Sequence, residues 1–196
     1  MKKRLYLIIS ILLVAFIFAG CNPIKIYNTI IEKEEAVNAA WAQVENQYQR
    51  RMDLIPNLVE IVKGYAAHEK ETLESVIRMR SEVSKITITK EVLEDPELFK
   101  KFQDAQSELS GVLSRLMAVT ESYPELKANE NFIALQSQVE GTENRISVER
   151  KRYNESVQDY NTYIRKFPNS LFKGDAKPKE TFKASSGAEN APNIKF

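Results

Sequence analysis

Chemistry at neutral pH needs nucleophiles, acid–base groups or metal ligands, and this chain of 196 residues offers few of them. Its one histidine, His68, stands in Ala66-Ala67-His68-Glu69, where a helical metalloprotease motif would need a second histidine four places on and the chain has Thr72. His68 is therefore read as a surface or interface residue, and no metal site, cofactor or catalytic residue is assigned. The six glycines are scattered, so no phosphate-cradling loop or dinucleotide fingerprint is present. Carboxylates are plentiful, but at helical spacing they describe a solvated face. Glu149 is the exception: it falls on an apolar stripe, where a buried contact to Arg78 or Arg80 would set helix register, the alternative being a catalytic acid. The richest polar group is Arg50, Arg51, Asp53 and Asn57. Two cations, an anion and an amide at a turn between helices suit an anionic group such as a lipid headgroup; the same residues also suit capping and turn formation. Tyr-Asn occurs at 27–28, 153–154 and 160–161, and the last two pairs lie seven apart, on one helix face. Tyrosine suits a helical interior with its hydroxyl at the rim, the alternative being a ligand-binding rim.

The other singular residue is Cys21. It follows a basic head (Lys2, Lys3, Arg4), an apolar run from Leu5 to Phe18 broken only by Ser10, and the small residues Ala19 and Gly20. That order is the order of an export signal, and the run is shorter than the roughly 20 residues that span a bilayer. Phe18-Ala19-Gly20-Cys21 resembles the lipobox of bacterial lipoproteins, with Phe18 where leucine is usual. The resemblance implies cleavage before Cys21 and acylation of its thiol, two or more acyl chains giving a stable anchor. The alternative is an uncleaved signal-anchor helix with an idle cysteine. In both cases the basic head stays inside and the chain after residue 21 emerges on the extracytoplasmic side.

Four helices must position everything that follows. The first covers Pro23 to Arg51, with Val37, Trp41, Val44 and Tyr48 on one stripe. It is expected to end near Arg50-Arg51, with Asp53 capping the next helix and Pro56 in its first turn; one long helix kinked at Pro56 is the alternative. The second runs from Leu54 to Lys85 and fades into the β-branched run Ile86-Thr87-Ile88-Thr89. Asp95 and Pro96 open the third, which stops before Tyr123-Pro124. The fourth starts near Asn129 and places Phe132, Leu135, Val139, Thr142, Ile146, Glu149, Tyr153, Val157, Tyr160, Ile164 and Phe167 at steps of three and four before Pro168 stops it. At roughly 38 residues it would be a rod of about 57 Å. The fold class is all-α: an elongated antiparallel up-and-down four-helix bundle behind an N-terminal signal or membrane segment. Trp41 and Tyr153 are expected in the core. From Asn169 the periodicity is lost, so 169–196 reads as an irregular tail, extended or mobile.

Longer motifs carry a family resemblance. Ala40-Trp41-Ala42-Gln43-Val44, Arg50 to Val59, and Lys63-Gly64-Tyr65-Ala66-Ala67-His68-Glu69 are followed by Glu149-Arg150-Lys151-Arg152-Tyr153-Asn154, Tyr160-Asn161 and Phe167-Pro168. In that order they resemble the LemA family of bacterial membrane-associated proteins over about 27–168, extending to Gly187-Ala188-Glu189-Asn190-Ala191-Pro192 in the tail. The resemblance implies a four-helix, bundle-type fold behind an N-terminal membrane segment and implies no reaction. Many members have a plain hydrophobic N-terminal helix, so the lipobox is a departure.

Charge narrows the partners. The formal net charge is +1, and the three signal cations Lys2, Lys3 and Arg4 leave −2 for the rest. A near-neutral domain has no electrostatic case for nucleic acid. The domains are then 1–21 signal or membrane segment, 24–168 helical bundle and 169–196 tail. The reading is a helical binding or scaffold protein held to a membrane of the cell envelope by a lipid anchor, with protein partners there. The alternative is an envelope-stress regulator or lipid-dependent enzyme using Arg50, Arg51, Asp53 and Asn57.

Overall fold

The computed structural model describes residues 3–4, 6–12, 23–86 and 89–183, and every regular element among them is helical. Helix α1 spans Pro23–Tyr65, and its 43 residues make a rod of about 65 Å. Then come α2 (Lys70–Ser84), α3 (Lys90–Glu94), α4 (Pro96–Val119), a 3-10 turn (Thr120–Ser122), α5 (Pro124–Lys127), α6 (Glu130–Arg165) and α7 (Asn169–Phe172). Among the described residues no helix is long and apolar enough to cross a membrane.

The expected break near Arg50-Arg51 does not occur, and α1 continues through Pro56. A proline inside a helix strips its i−4 carbonyl of a donor. Here that carbonyl belongs to Met52, and Arg80 Nε from α2 donates to it at 3.2 Å. A long-range partner supplies what the local backbone lacks. The second expected helix is accordingly divided, residues 54–65 belonging to α1 and the remainder forming α2 after a turn at 66–69. Two starts are as the sequence predicts. Asp95 accepts from the backbone N–H groups of Glu97 and Leu98 with Pro96 at the first helical position, and Asn129 accepts from Phe132 N–H.

Helices α1 and α6 run antiparallel over most of their length. Lys33 meets Asp159 at 2.5 Å, Arg51 meets Glu143 at 2.8 Å, and Asn129 donates to the Tyr65 hydroxyl at 2.9 Å. Helices α2 and α4 form a second antiparallel pair. Tyr123, just beyond α4, donates to Glu69 at one end, while Val83 and Phe102 share a cleft at the other. The second pair is the shorter. With 15 residues, about 22 Å, α2 flanks only half of the 36-residue α6, about 54 Å. Four full-length helices therefore do not line up; one half of the rod has four, and the other must be closed differently.

The interior divides the same way. The core flanked by α2 holds Met52, Ile55, Leu58, Val62, Val76, Leu109, Leu116 and Phe132. The other holds Ile30, Val37, Trp41, Tyr48, Phe99, Phe102, Tyr153, Tyr160 and Ile164, with Trp41 5 % exposed and Tyr153 fully buried. In this second half α3 and residues 176–183 take the place of the missing helix. The segment expected to be extended or mobile thus contains α7 and a docked, non-helical strap that buries Phe182. Its lack of periodicity follows from having no regular structure of its own.

Candidate functional site

Between the two cores lies a polar layer built on Arg51. Its side chain is 1 % exposed and reaches Glu143 and Ser110 with one nitrogen, at 2.8 and 2.6 Å, and the Gln106 side chain with the other. The guanidinium lies 5.1 Å from the Tyr48 ring centre. One charge from α1 is therefore read by α4 and α6 together. Sliding any of the three helices by a turn would strand a buried guanidinium, so the layer fixes register.

The other three residues of the sequence-derived cluster do not join it. Arg50, Asp53 and Asn57 are exposed, and Asp53 accepts from Gln49 at 2.7 Å along its own helix face. They sit mid-rod rather than at an end, because α1 does not stop there. A nearby 320 Å³ cleft is lined by Tyr48, Gln49, Arg80, Phe102 and Gln106 instead. Glu149 is half-buried and paired with Arg152 at 2.8 Å, a partner on its own helix rather than Arg78 or Arg80. His68 is an exposed turn residue. Phe167, placed by periodicity on the stripe, is 78 % exposed because α6 ends at Arg165. Cys21 and the tail motif at 187–192 lie outside the described residues. Among the described residues no three His, Cys, Asp or Glu side chains are grouped as metal ligands.

The most elaborate arrangement is one that the sequence shows without explaining. Residues 179–183 are extended and carry backbone donors and acceptors that need partners. Side chains supply them. The Asn161 amide donates to Lys179 C=O at 2.8 Å and accepts from Lys179 N–H at 2.9 Å. Asn154 does the same for Phe182, at 2.9 Å both ways. Gln103 donates to Lys183 C=O at 2.9 Å, Tyr153 hydroxyl to Glu180 C=O at 3.0 Å, and Glu180 N–H to Leu93 C=O at 2.8 Å. The spacing follows from geometry. Seven helical residues rise about 10.5 Å, and three extended residues cover about 10 Å. Asn154 and Asn161 are thus a ruler cut to an extended segment running antiparallel to α6. The paired Tyr153 and Tyr160 face the core beneath.

Two side chains anchor the strap. Phe182 enters a box of aromatic rings, stacked on Trp41 at 5.9 Å and 15°, with Phe99 at 5.0 Å and Tyr153 at 5.6 Å, while Arg150 covers it from 4.4 Å. Lys179 is 3 % exposed and is held between Glu94 at 2.7 Å and Glu34 at 3.1 Å, with Glu34 also taking Lys90 at 2.8 Å. Burial pushes the Glu34 carboxyl up, but hydrogen bonds from Lys90 and Lys179 outweigh it and hold the group below the usual carboxylate range. Burial raises the Tyr160 hydroxyl to about 12, and drives Tyr153 higher still. Both phenols stay neutral at physiological pH and pack in the core, and Tyr153 also donates its hydroxyl hydrogen bond to the strap. The signal that could have found this site is the Tyr-Asn heptad itself.

The comparisons with known proteins come to the same region of sequence space. The family model described as LemA family matches residues 40–196, from within α1 through α2, α4, α6 and the strap. Similar curated proteins are magnetosome protein MamQ of Magnetospirillum gryphiswaldense, 29% identical over 84% of this chain, and magnetosome protein MamQ 2 of Paramagnetospirillum magneticum, 27% identical over 83%. The chain spans 66% and 65% of the length of those two relatives. Protein LemA of Metamycoplasma hominis is 23% identical over 83% of this chain and 68% of its own length.

Proposed function

Because this chain belongs to the LemA family, we propose that it is a membrane-anchored helical binding or scaffold protein of the bacterial cell envelope, its elongated helical domain on the extracytoplasmic side. One observation carries the reading. The two buried cations of the domain, Arg51 and Lys179, bond to the chain's own carboxylates and polar side chains, and the half-buried amides of Asn154 and Asn161 are taken up by the strap backbone. Neither buried cation is left without a counter-charge, as one serving a reaction centre would be. What the rod offers outward is long helical surface, with lone aliphatic side chains such as Ile77 and Val148 54% and 49% exposed.

The anchor rests on the N-terminal segment. Residues 6–12 are helical, and Tyr6, Leu7, Ile8, Ile9, Ile11 and Leu12 are all exposed, so nothing in the described fold covers them. An apolar helix with no protein partner is matched to lipid or to an export channel. Cys21 would then carry the acyl chains. What supports binding over the enzyme alternative is that Arg50, Asp53 and Asn57 are exposed while Arg51 is buried away from them.

Site-specific photo-crosslinking in cells tests the binding role. Probes at Ile77 and Val148 of the anchored chain should give discrete adducts that disappear when Cys21→Ser removes fatty-acid labelling and the membrane attachment. Turnover of a substrate by the purified chain, with no adduct from any exposed position, would replace this reading with an enzyme.

A further inference from the structure

The exposed apolar side chains of the helical domain are not spread evenly. Among the described residues from 23 to 183 the four most exposed large ones are Phe167 at 78 %, Ile24 at 71 %, Leu171 at 70 % and Tyr27 at 55 %. All four lie at one end of the rod. Ile24 and Tyr27 are in the first turns of α1, and α6, antiparallel to it, finishes at Arg165 beside them. Helix α7 packs on both. Its Phe172 packs against the aromatic core, which turns neighbouring Leu171 outward. Asn169 fixes the corner by donating to Tyr163 C=O at 3.0 Å, and Phe167 projects from it.

Charge divides along the same axis. The α1-start end, with the cleft beside Tyr27, carries Lys25, Lys90, Arg165, Lys166, Lys173 and Lys177 against Glu34, Glu94 and Asp175. The opposite end, around the 66–69 turn and α5, carries Glu69, Glu71, Glu121, Glu125 and Glu130 against Lys63, Lys70 and Lys127. Apolar side chains ringed by cations are the composition of a lipid–water interface, where aliphatic and aromatic groups enter the headgroup layer and cations meet anionic lipids. This is also the end at which the apolar N-terminal segment joins the domain.

We infer that this end, built from Ile24, Tyr27, Phe167 and Leu171 with Arg165 and Lys166, is a seat that rests on an anionic bilayer surface and stands the rod upright on it. The inference rests on the anchored reading and adds a second contact to it, made by the folded domain itself. Such a seat holds the acidic far end one rod length from the membrane, where a tether alone would let the domain lie at any angle.

The test uses the full chain in vesicles of phosphatidylcholine and phosphatidylglycerol whose acyl chains are brominated. Single Phe167→Trp and Leu171→Trp variants place an indole on the seat, Ile133→Trp places one at the far end, and the wild-type signal from buried Trp41 is subtracted. All three sites are exposed, so folding is not at stake. The indoles at 167 and 171 should lose most of their emission to bromine, and lose less when phosphatidylglycerol is omitted, while the one at 133 keeps its emission. Flotation of the protein with vesicles but no quenching at 167 and 171 overturns the seat and leaves the anchor standing. Equal quenching at all three sites overturns the upright orientation. Emission at 171 that shifts with protein concentration and not with bromine assigns the patch to a second copy and overturns the inference. Absence of flotation overturns the anchor and the seat together.

Discussion

Replacing Asn154 with alanine removes both hydrogen bonds to Phe182, at 2.9 Å each, and tests whether the strap is held by its backbone. At about 0.5–1.5 kcal/mol net per bond, the pair contributes roughly 1–3 kcal/mol to strap docking. The released strap regains water for its own N–H and C=O, so the loss stays within that range instead of adding an orphan penalty. A change of 1–3 kcal/mol raises the undocked fraction by roughly five- to 150-fold. Hydrogen exchange reads this directly, because the amides of Lys179, Glu180, Phe182 and Lys183 are all bonded when the strap is docked. Their protection should fall by that factor while amides around Met52 and Leu116 keep theirs. Asn154→Asp keeps the acceptor for Phe182 N–H and loses the donor, so it should fall between the alanine variant and the wild type. Trp41 emission should move to the red as Phe182 leaves its ring. Unchanged protection in Asn154→Ala would refute the ruler, and equal loss in strap and core would refute the strap as a separable unit.

Three further outcomes follow from the same geometry. Glu143→Ala strips the buried Arg51 of its counter-charge and should cost about 2–3 kcal/mol in a denaturant melt, below the usual range for a broken buried pair because Glu143 is over a third exposed; the double Arg51→Met, Gln106→Leu should stay within about 1 kcal/mol of wild type. Glu34 has a lowered folded pKa, so its contribution is fully present above the ordinary carboxylate value of 4.5 and is lost as pH falls through the lower folded value; strap amides should lose protection in that acid window, and Glu34→Gln should remove this step. Trp41→Ala empties the aromatic box and should cost about 3–5 kcal/mol, measured by thermal or urea unfolding, whereas a harmless truncation would show that its burial contributes little.

Local signals were legible and non-local compensation was not. Asp95-Pro96 and Asn129 mark helix starts because capping is decided within three residues. The stripe from Phe132 to Ile164 is legible because periodicity alone turns it inward, and the burial of Trp41 and Tyr153 follows from it. Pro56 misleads, because its cost is met by Arg80, which lies 28 residues on from Met52. Arg51 looks like a surface cation until Gln106, Ser110 and Glu143 converge on it from two other helices. The strap has no pattern of its own, and its partners Gln103, Asn154 and Asn161 are ordinary polar residues on exposed-looking helix faces. The Tyr-Asn heptad was visible, but only the matching rise of an extended segment gives it a meaning.

On the proposed function, this domain stands on the outer side of a membrane to which its N-terminal segment attaches it. Protease treatment of intact spheroplasts, followed by separation of membranes from soluble proteins, tests it most directly. The full chain should pellet with membranes, and external protease should destroy residues 23–183 while a cytoplasmic marker survives. A domain found in the soluble fraction, or one degraded only after the spheroplasts are lysed, would contradict it.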